Sequence, residues 1–167
     1  MHINGAYDAR GGSNTAIFRH GLFRKDDLGT VLGVAWWLPP TKSAAMATFP
    51  GGDWRTVLSL SRLAIHPSVP KNAASFLLRH SVREIRKDGR WKCLVTYADT
   101  WRGHTGTIYK AAGWTYVGET KPQRAYVKNG VMVARKAGPR TRTHAEMLEL
   151  GAVMVGSFSK HKFVLFI

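Results

Sequence analysis

The chain has 167 residues, of which 44% are hydrophobic and 11% aromatic, so it suits one domain with an apolar core rather than a largely disordered protein. Its apolar runs are too short to span a bilayer, no signal peptide opens it, and its single cysteine, Cys93, excludes a disulfide framework and a Cys-rich zinc site. Lys and Arg total 25 against 10 Asp and Glu, and this excess favours nucleic acid as a partner over a membrane surface. We therefore expect a cytoplasmic protein without a membrane partner; a merely basic, soluble protein is the alternative.

The first half of the chain predicts a loop and three strands. Residues 1–15 are rich in Gly, Asn and Ser and predict a loop. The segments "AIFRHGLFR" and "TVLGVAWWLPP" predict two strands around the polar turn "KDDLG". Residues 41–56 predict an irregular connection, and "VLSLSRLAIHP" then alternates as a strand does.

The clearest helix covers residues 73–87, "AASFLLRHSVREIRK". Its apolar residues recur at helical spacing and form one stripe, namely Ala74, Leu77, Leu78, Val82 and Ile85. The other side carries four basic residues, Arg79, Arg83, Arg86 and Lys87.

The remaining elements alternate between strands and short helices. "WKCLVTYA" predicts a strand, "GTIYKAAG" a short helix and "WTYVGET" another strand. "AYVKNGVMVA" predicts a hairpin because Asn-Gly separates two alternating runs. "HAEMLELGA" predicts a helix and "HKFVLFI" a final strand. The whole order predicts a mixed α/β or α+β layer.

The helix that begins near Asn72 is a candidate phosphate site. Its N-terminus presents unpaired N–H groups, and the small residues Ala73, Ala74 and Ser75 would let a pyrophosphate approach closely. Lys71 adds a formal charge. The alternative is an ordinary helix that Asn72 caps.

The order of strand, "LAIHPSVPKNAAS" loop, helix, strand "CLVTYAD" and helix "GTIYKAAGW" resembles the core of GNAT-type acyltransferases. The resemblance implies a mixed central sheet flanked by helices, with two central strands that splay apart to admit pantetheine and an acyl group. Acyl-CoA, in particular acetyl-CoA, is then the implied donor or donor-like ligand, and Tyr109 is implied to protonate the departing thiolate. The residues implied to hold this ligand are Leu63, Ile65, Val69, Lys71, Asn72, Ala73, Ala74, Ser75 and Tyr109.

Three longer blocks, "LSRLAIHPSVPKNAASFLL", "YADTWRGHTGTIYKAAGWTYVGET" and "KHKFVLF", resemble the Mom family of phage DNA-modification proteins. The resemblance covers residues 17–167. It implies a single domain over residues 1–167 that converts adenine in double-stranded phage DNA to a carbamoylmethyl form, which shields the DNA from restriction in the infected bacterial host. Such proteins usually carry more sequence before the first strands, including a His-Tyr pair. Here His2 is kept and Ile3 replaces the tyrosine, so we expect the first GNAT helix to be reduced or absent.

The resemblance points to four catalytic residues, Asp99, Tyr109, Arg62 and His2. Asp99 is expected at the carboxyl end of a central strand, where it could orient the adenine amine, accept its proton or bind a metal; otherwise it caps a turn. Tyr109 is a general acid or a metal-bound phenolate, or else a packed aromatic residue. Arg62 lies in a half-buried strand and needs a partner, either Asp99 or a substrate phosphate.

The implied product constrains the reaction. Direct acetyl transfer to the adenine amine would leave a carbonyl on that nitrogen, whereas a carbamoylmethyl group attaches through a methylene and ends in an amide. An extra nitrogen source, a rearrangement or a different donor is therefore required. A redox metal such as iron, held by His2, Asp99 and Tyr109, would make such a step easier.

The predicted DNA-binding surface is the interval between Glu119 and Glu146, which contains no acidic residue. Its basic residues are Lys121, Arg124, Lys128, Arg135, Lys136, Arg140 and Arg142, and Arg79 and Arg83 extend the set. Trp101 is predicted to stack on an adenine extruded from the duplex. The protein is expected to be a monomer or a homodimer. Two other functions stay open: an ordinary GNAT N-acyltransferase that acts on a protein, peptide or small amine, and a non-enzymatic DNA-binding protein on the same scaffold.

Overall fold

The computed structural model describes residues 16–138 and 140–167. The contacts of the chain divide it into two compact units. The first comprises residues 1–97, 106–118 and 162–167, and the second comprises residues 98–105 and 119–161. Within the described residues, no helix is both long and apolar enough to cross a membrane. The prediction of one domain over the whole chain stays a prediction.

Strands dominate the described part of the chain. They are β1 (Phe18–Leu22), β2 (Gly33–Leu38), β3 (Val57–Ile65), β4 (Cys93–Asp99), β5 (Thr115–Glu119), β6 (Gln123–Lys128), β7 (Val131–Val133), β8 (Lys136–Ala137), β9 (Arg140–Thr141), β10 (Val153–Phe158) and β11 (Lys160–Phe166). The α-helices are α1 (Lys42–Thr48), α2 (Ala73–Asp88), α3 (Thr107–Ala111) and α4 (His144–Glu149), and two 3-10 turns cover Trp54–Thr56 and Thr100–Arg102.

A six-stranded mixed sheet in the order β1-β2-β3-β4-β11-β5 forms the framework of the first unit. β1, β2 and β3 pair antiparallel, whereas β3 and β4 pair parallel. The parallel pair needs a crossover, and α2 supplies it. This arrangement confirms the predicted mixed central sheet flanked by helices. The place of the first GNAT helix precedes β1 and lies outside the described residues.

Helix α2 packs through its predicted apolar stripe. Leu77, Leu78, Val82 and Ile85 are buried, whereas Arg79, Arg83, Arg86 and Lys87 are exposed. The helix ends at Asp88, and its C-cap is Gly89, whose φ of 73° is the left-handed conformation that glycine adopts without a Cβ penalty. The period of the sequence therefore fixes which face of α2 covers the sheet.

A buried hydrogen-bond network ties α2 to the first two strands. The Ser81 hydroxyl accepts from the Trp37 indole N–H at 2.5 Å and hydrogen-bonds Nδ1 of His20 at 2.6 Å. Burial lowers the pKa of His20, an effect that Glu84 partly offsets, so the neutral imidazole is favoured in this partly buried position. The network satisfies the indole N–H of a fully buried tryptophan.

The second unit contains a three-stranded sheet in the order β10-β6-β7. Asn129 and Gly130 both have positive φ, 52° and 74°, as the Asn-Gly hairpin prediction requires. A small core lies on one face of this sheet, formed by Tyr126, Met147 and Ala152 with Val133 packed against them. Helix α4 starts with a complete capping box between Thr143 and Glu146.

The prediction of an irregular connection over residues 41–56 is wrong. This segment contains α1 and the first 3-10 turn. Prolines and glycines on both sides suggested a loop, but the Ala-rich run between them favours a helix, and burial of Ala45 anchors it to the core. Strand β10 and the small β8–β9 hairpin were not predicted.

Candidate active site

The central strands β3 and β4 separate beyond three paired positions. Val57 pairs with Cys93, Leu58 with Leu94 and Ser59 with Val95, whereas β3 continues to Ile65 and β4 to Asp99. A bulge follows at once, because Trp36 pairs with Arg62 and Trp37 with Leu60, which leaves Ser61 as the extra residue. Bulges bend the strand that carries them, and this one lies where the pairing with β4 ends. The predicted splay of the central strands is confirmed.

The start of α2 lies beside an open pocket of the first unit. The pocket has a volume of about 510 Å³ and is lined by Asn72, Ser75, Phe76, Arg79, His80 and Ala111. Asn72 occupies the N-cap position, but among the described residues its side chain makes no capping hydrogen bond. Ala73, Ala74 and Ser75 are half-buried at the first turn. The polar side chains of Asn72, Ser75 and Arg79 line this pocket together with Phe76 and Ala111, and the phosphate site at the helix N-terminus stays a prediction.

Two further segments of the implied ligand set flank this helix start. Leu63 is half-buried and Ile65 is buried at the end of β3. Val69 lines a second pocket of about 470 Å³ between the β1–β2 connection and the loop from β3 to α2, and Lys71 is exposed just before the helix.

Tyr109 lies in α3 as a buried aromatic residue. Its ring packs against Trp114 and Phe163, with centroid distances of 5.9 Å and 5.3 Å, and it is 8% exposed. Its hydroxyl hydrogen-bonds the Thr96 side chain, which belongs to β4 and is also buried. Burial raises the pKa of the Tyr109 phenol, and the bond to Thr96 offsets part of that rise. The phenol therefore keeps its proton at neutral pH.

Asp99 is the last residue of β4, as predicted, and its carboxylate has two contacts in the second unit. Oδ1 accepts the Trp101 N–H at 3.1 Å, which caps the 3-10 turn that follows the strand. Oδ2 lies 4.0 Å from Nζ of Lys160. The side chain is 30% exposed, so the carboxylate is held in place and still reachable.

Arg62 lies beside an aromatic ring on the neighbouring strand. Its guanidinium lies 5.4 Å from the ring centroid of Trp36, a cation–π geometry. The side chain is half-buried, as predicted. Pairing of Arg62 with Asp99 or a phosphate stays a prediction.

Several residues of the predicted DNA-binding interval hold the second unit together. Lys128 donates to the Leu150 carbonyl at 2.6 Å, Arg135 donates twice to the Arg142 carbonyl, and Arg140 pairs with Glu146. Arg142 itself donates to the Ala134 carbonyl at 3.2 Å. The side chains of Lys121, Arg124 and Lys136 are exposed. On α2, Arg83 hydrogen-bonds His80, while Arg79 lines the pocket described above.

The described residues do not test the predicted iron site, which stays a prediction. His2 lies outside them, and they contain no group of three or more His, Cys, Asp or Glu residues that could hold a metal.

Prediction from the sequence missed Lys160, which lies 61 positions after Asp99, and Phe158, whose ring centroid is 4.7 Å from that of Trp101. Phe158 ends β10 and Lys160 begins β11. No local pattern in the sequence indicates that this segment lies beside the end of β4.

The sheet order, the separated central strands and the helix between them are those of the GNAT acetyltransferase fold. An acetyltransferase of the GNAT family from Streptococcus pneumoniae is 13% identical, with a TM-score of 0.52, over 83% of this chain and 62% of that one. A ribosomal-protein-alanine N-acetyltransferase from Brucella melitensis is 14% identical, with a TM-score of 0.51, over 88% and 67%. The sequence matches the Mom protein family over residues 7–167, and the chain belongs to that family.

The matched structures are longer than this chain. Among the first five solved structures, the match covers 59% to 64% of the other protein. No curated protein sequence matches this chain.

Proposed function

We propose that this chain is a transferase that modifies adenine in double-stranded phage DNA to the carbamoylmethyl form and so protects that DNA from host restriction. The observation that carries the proposal is the position of Asp99, the last residue of β4, in the part of that strand that is no longer paired with β3. Membership in the Mom protein family supports the same substrate.

Asp99 has the geometry of a proton acceptor. Its Oδ1 is fixed by the Trp101 N–H, and the partly exposed carboxylate can hydrogen-bond the exocyclic amine of an adenine. As that nitrogen forms its new bond to carbon, it must lose a proton, and Asp99 accepts it. Trp101 offers an aromatic face on which an extruded base can stack.

The first unit fits an acyl-CoA donor. Beyond Ser59 the edge of β3 that faces β4 is no longer paired with it, so backbone groups there are open to the amides of pantetheine. The first turn of α2 and Lys71 suit the pyrophosphate. When bound, acyl-CoA would supply an activated acyl carbon. Tyr109 stays protonated, as the proton donor to a departing thiolate must. Because attack at the acyl carbon alone would give acetyladenine, carbamoylmethyl transfer also needs a nitrogen source, a rearrangement or a different donor.

Exposed basic side chains would hold the duplex. Lys121, Arg124 and Lys136 in the second unit are the strongest candidates, because their predicted neighbours Lys128, Arg135 and Arg140 already bind protein groups. Such contacts position DNA without reading its sequence.

The direct test is mass spectrometry of nucleosides from plasmid DNA of cells that express the chain. We expect a new adenine derivative with the mass of a carbamoylmethyl group in place of hydrogen. The mass of an acetyl group would indicate ordinary GNAT chemistry. Unmodified adenine, from protein that still binds DNA, would favour a non-enzymatic DNA-binding protein.

Two substitutions test the site, each with a matched control. Asp99→Ala and Tyr109→Phe should abolish modification and leave DNA affinity nearly unchanged. Asp53→Ala removes the same kind of cap from the other 3-10 turn, and Tyr97→Phe removes the hydroxyl of a half-buried tyrosine that also bonds a threonine. Both controls should keep the activity; if all four variants modify DNA as the parent does, the assignment of Asp99 and Tyr109 is wrong.

A further inference from the structure

The loop after β4 and the segment that leads into β11 contact each other residue by residue. Residues 99–101 meet residues 158–160 in reverse order: Asp99 with Lys160, Thr100 with Ser159 and Trp101 with Phe158. The Thr100 hydroxyl donates to the Ser159 carbonyl at 2.7 Å, which fixes the register of the three contacts. A ligand that reaches Asp99 and Trp101 therefore also meets Lys160 and Phe158.

Lys160 has an anchored backbone and an available ammonium group. Its N–H donates to Oγ1 of Thr120 at 3.0 Å, and its carbonyl accepts the Thr120 N–H at 2.9 Å. The side chain is 52% exposed, and Nζ lies 4.0 Å from Oδ2 of Asp99, beyond hydrogen-bond distance. An ammonium group has three donors, so Lys160 can bind an anion while it stays near the carboxylate.

Phe158 restricts the ring of Trp101. The two ring planes lie at 64°, an edge-to-face arrangement that is favourable for an aromatic pair. This contact favours one orientation of the indole.

We infer that Lys160 binds the DNA phosphate next to the adenine on which Asp99 acts, an inference that rests on the proposed function. An extruded nucleotide brings its own phosphates to the carboxylate of Asp99, and two negative groups at close range repel each other. The ammonium of Lys160 lies beside that carboxylate and offsets the repulsion. Lys160 thus extends the proposed phosphate-binding residues of the second unit as far as the carboxylate of Asp99.

The test compares Lys160→Met, Lys160→Arg and a control, Lys92→Met, in the full chain. Lys92 is also an exposed lysine anchored by backbone hydrogen bonds, but it directly precedes β4, whereas Asp99 ends that strand, about 20 Å away. The readouts are the salt dependence of affinity for a duplex and nucleoside mass spectrometry. We expect Lys160→Met to reduce the slope of log K against log salt by about 0.9, the value for one lost phosphate contact, and to lower modification at least tenfold.

Lys160→Arg should restore both the slope and the activity, since a guanidinium also binds phosphate, and Lys92→Met should match the parent. The inference is overturned if Lys160→Met keeps the parent's slope and activity while Trp101→Ala loses modification. A parent protein that neither binds nor modifies DNA overturns the proposed function itself, and this inference with it.

Discussion

At the scale of single residues, burial decides which titratable groups are available for chemistry. Tyr109 and Cys93 are both buried, and burial raises the pKa of each, whereas Asp99 keeps part of its carboxylate exposed. A buried phenol stays protonated at neutral pH and so has a proton to donate, whereas the exposed part of the Asp99 carboxylate can contact a substrate. The difference supports an acid role for Tyr109 and a base role for Asp99.

The Cys93 thiol allows a prediction on the dependence of stability on pH. It is packed with Ala45, Val57, Val95 and Val164, and burial raises its pKa from 9.0 to about 11. Because the folded chain binds this proton more tightly than the unfolded chain, the stabilisation is complete below pH 9.0 and is lost as the pH rises through about 11.

The variant Cys93→Ala has no thiol at this position, so its stability lacks this dependence on pH. The difference in free energy of unfolding between the parent and the variant should therefore shrink between pH 9 and pH 11, by at most about 1.4 kcal/mol per pH unit. Urea unfolding at a series of pH values measures it. If the difference in free energy of unfolding between parent and variant stays constant from pH 9 to pH 11, the Cys93 thiol does not contribute to the dependence of stability on pH.

At the scale of elements, the glycine before α3 sets how closely that helix approaches β11. Gly106 has a φ of 71°, and a Cβ built on it would lie 2.2 Å from Cε2 of Phe163. Gly113, after the same helix, also has a positive φ, 81°, but open space around it. A substitution at Gly113 therefore tests backbone strain alone, whereas a substitution at Gly106 tests the same strain together with a steric clash.

Gly106→Ala should destabilise the protein by about 2–5 kcal/mol, because strain of about 1–2 kcal/mol adds to overpacking of about 1–3 kcal/mol. Gly113→Ala should cost only the strain, about 1–2 kcal/mol. Urea denaturation of both variants provides the measurement. Equal losses would mean that Phe163 moves aside without cost.

Elements with a clear period could be predicted from the sequence, and those without one could not. The stripe of α2 and the Asn-Gly hairpin each have a local sequence pattern, and the structure contains both elements as predicted. Helix α1 carries no stripe, since Ala45 and Thr48 alone are buried, and its flanking prolines resemble those of a loop.

The same limit applies to the candidate site. The position of Asp99 follows from chain order, because a polar residue after a buried strand lies at the end of the sheet. The proximity of Lys160 depends on the placement of β11 beside β4, a long-range choice of the sheet that no local pattern records.

At the scale of the whole molecule, the two units have cores of very different size. In the second unit the buried cluster is Tyr126, Met147 and Ala152, with Val133 against it. In the first unit α2 and the central strands bury many more apolar side chains, among them Leu58, Leu78 and Ile85 at 0% exposure. Local stability follows the amount of buried apolar contact.

We therefore expect amides of β6 to exchange with solvent at least about tenfold faster than those of β3 or the middle of α2. Hydrogen-exchange mass spectrometry measures this directly. Addition of duplex DNA should slow the exchange in β6 in proportion to the occupancy of the site. Equal protection of these amides from hydrogen exchange in both units would show that the two units unfold only in one cooperative step.

The placement of Trp101 also gives the protein an optical property. Five of the six tryptophans belong to the first unit, and Trp101 is the one that belongs to the second. A nucleobase stacked on an indole quenches its fluorescence, so the difference in emission between the parent and Trp101→Phe isolates one reporter. The residue proposed to receive the extruded adenine would thus signal its arrival, in real time and without a label.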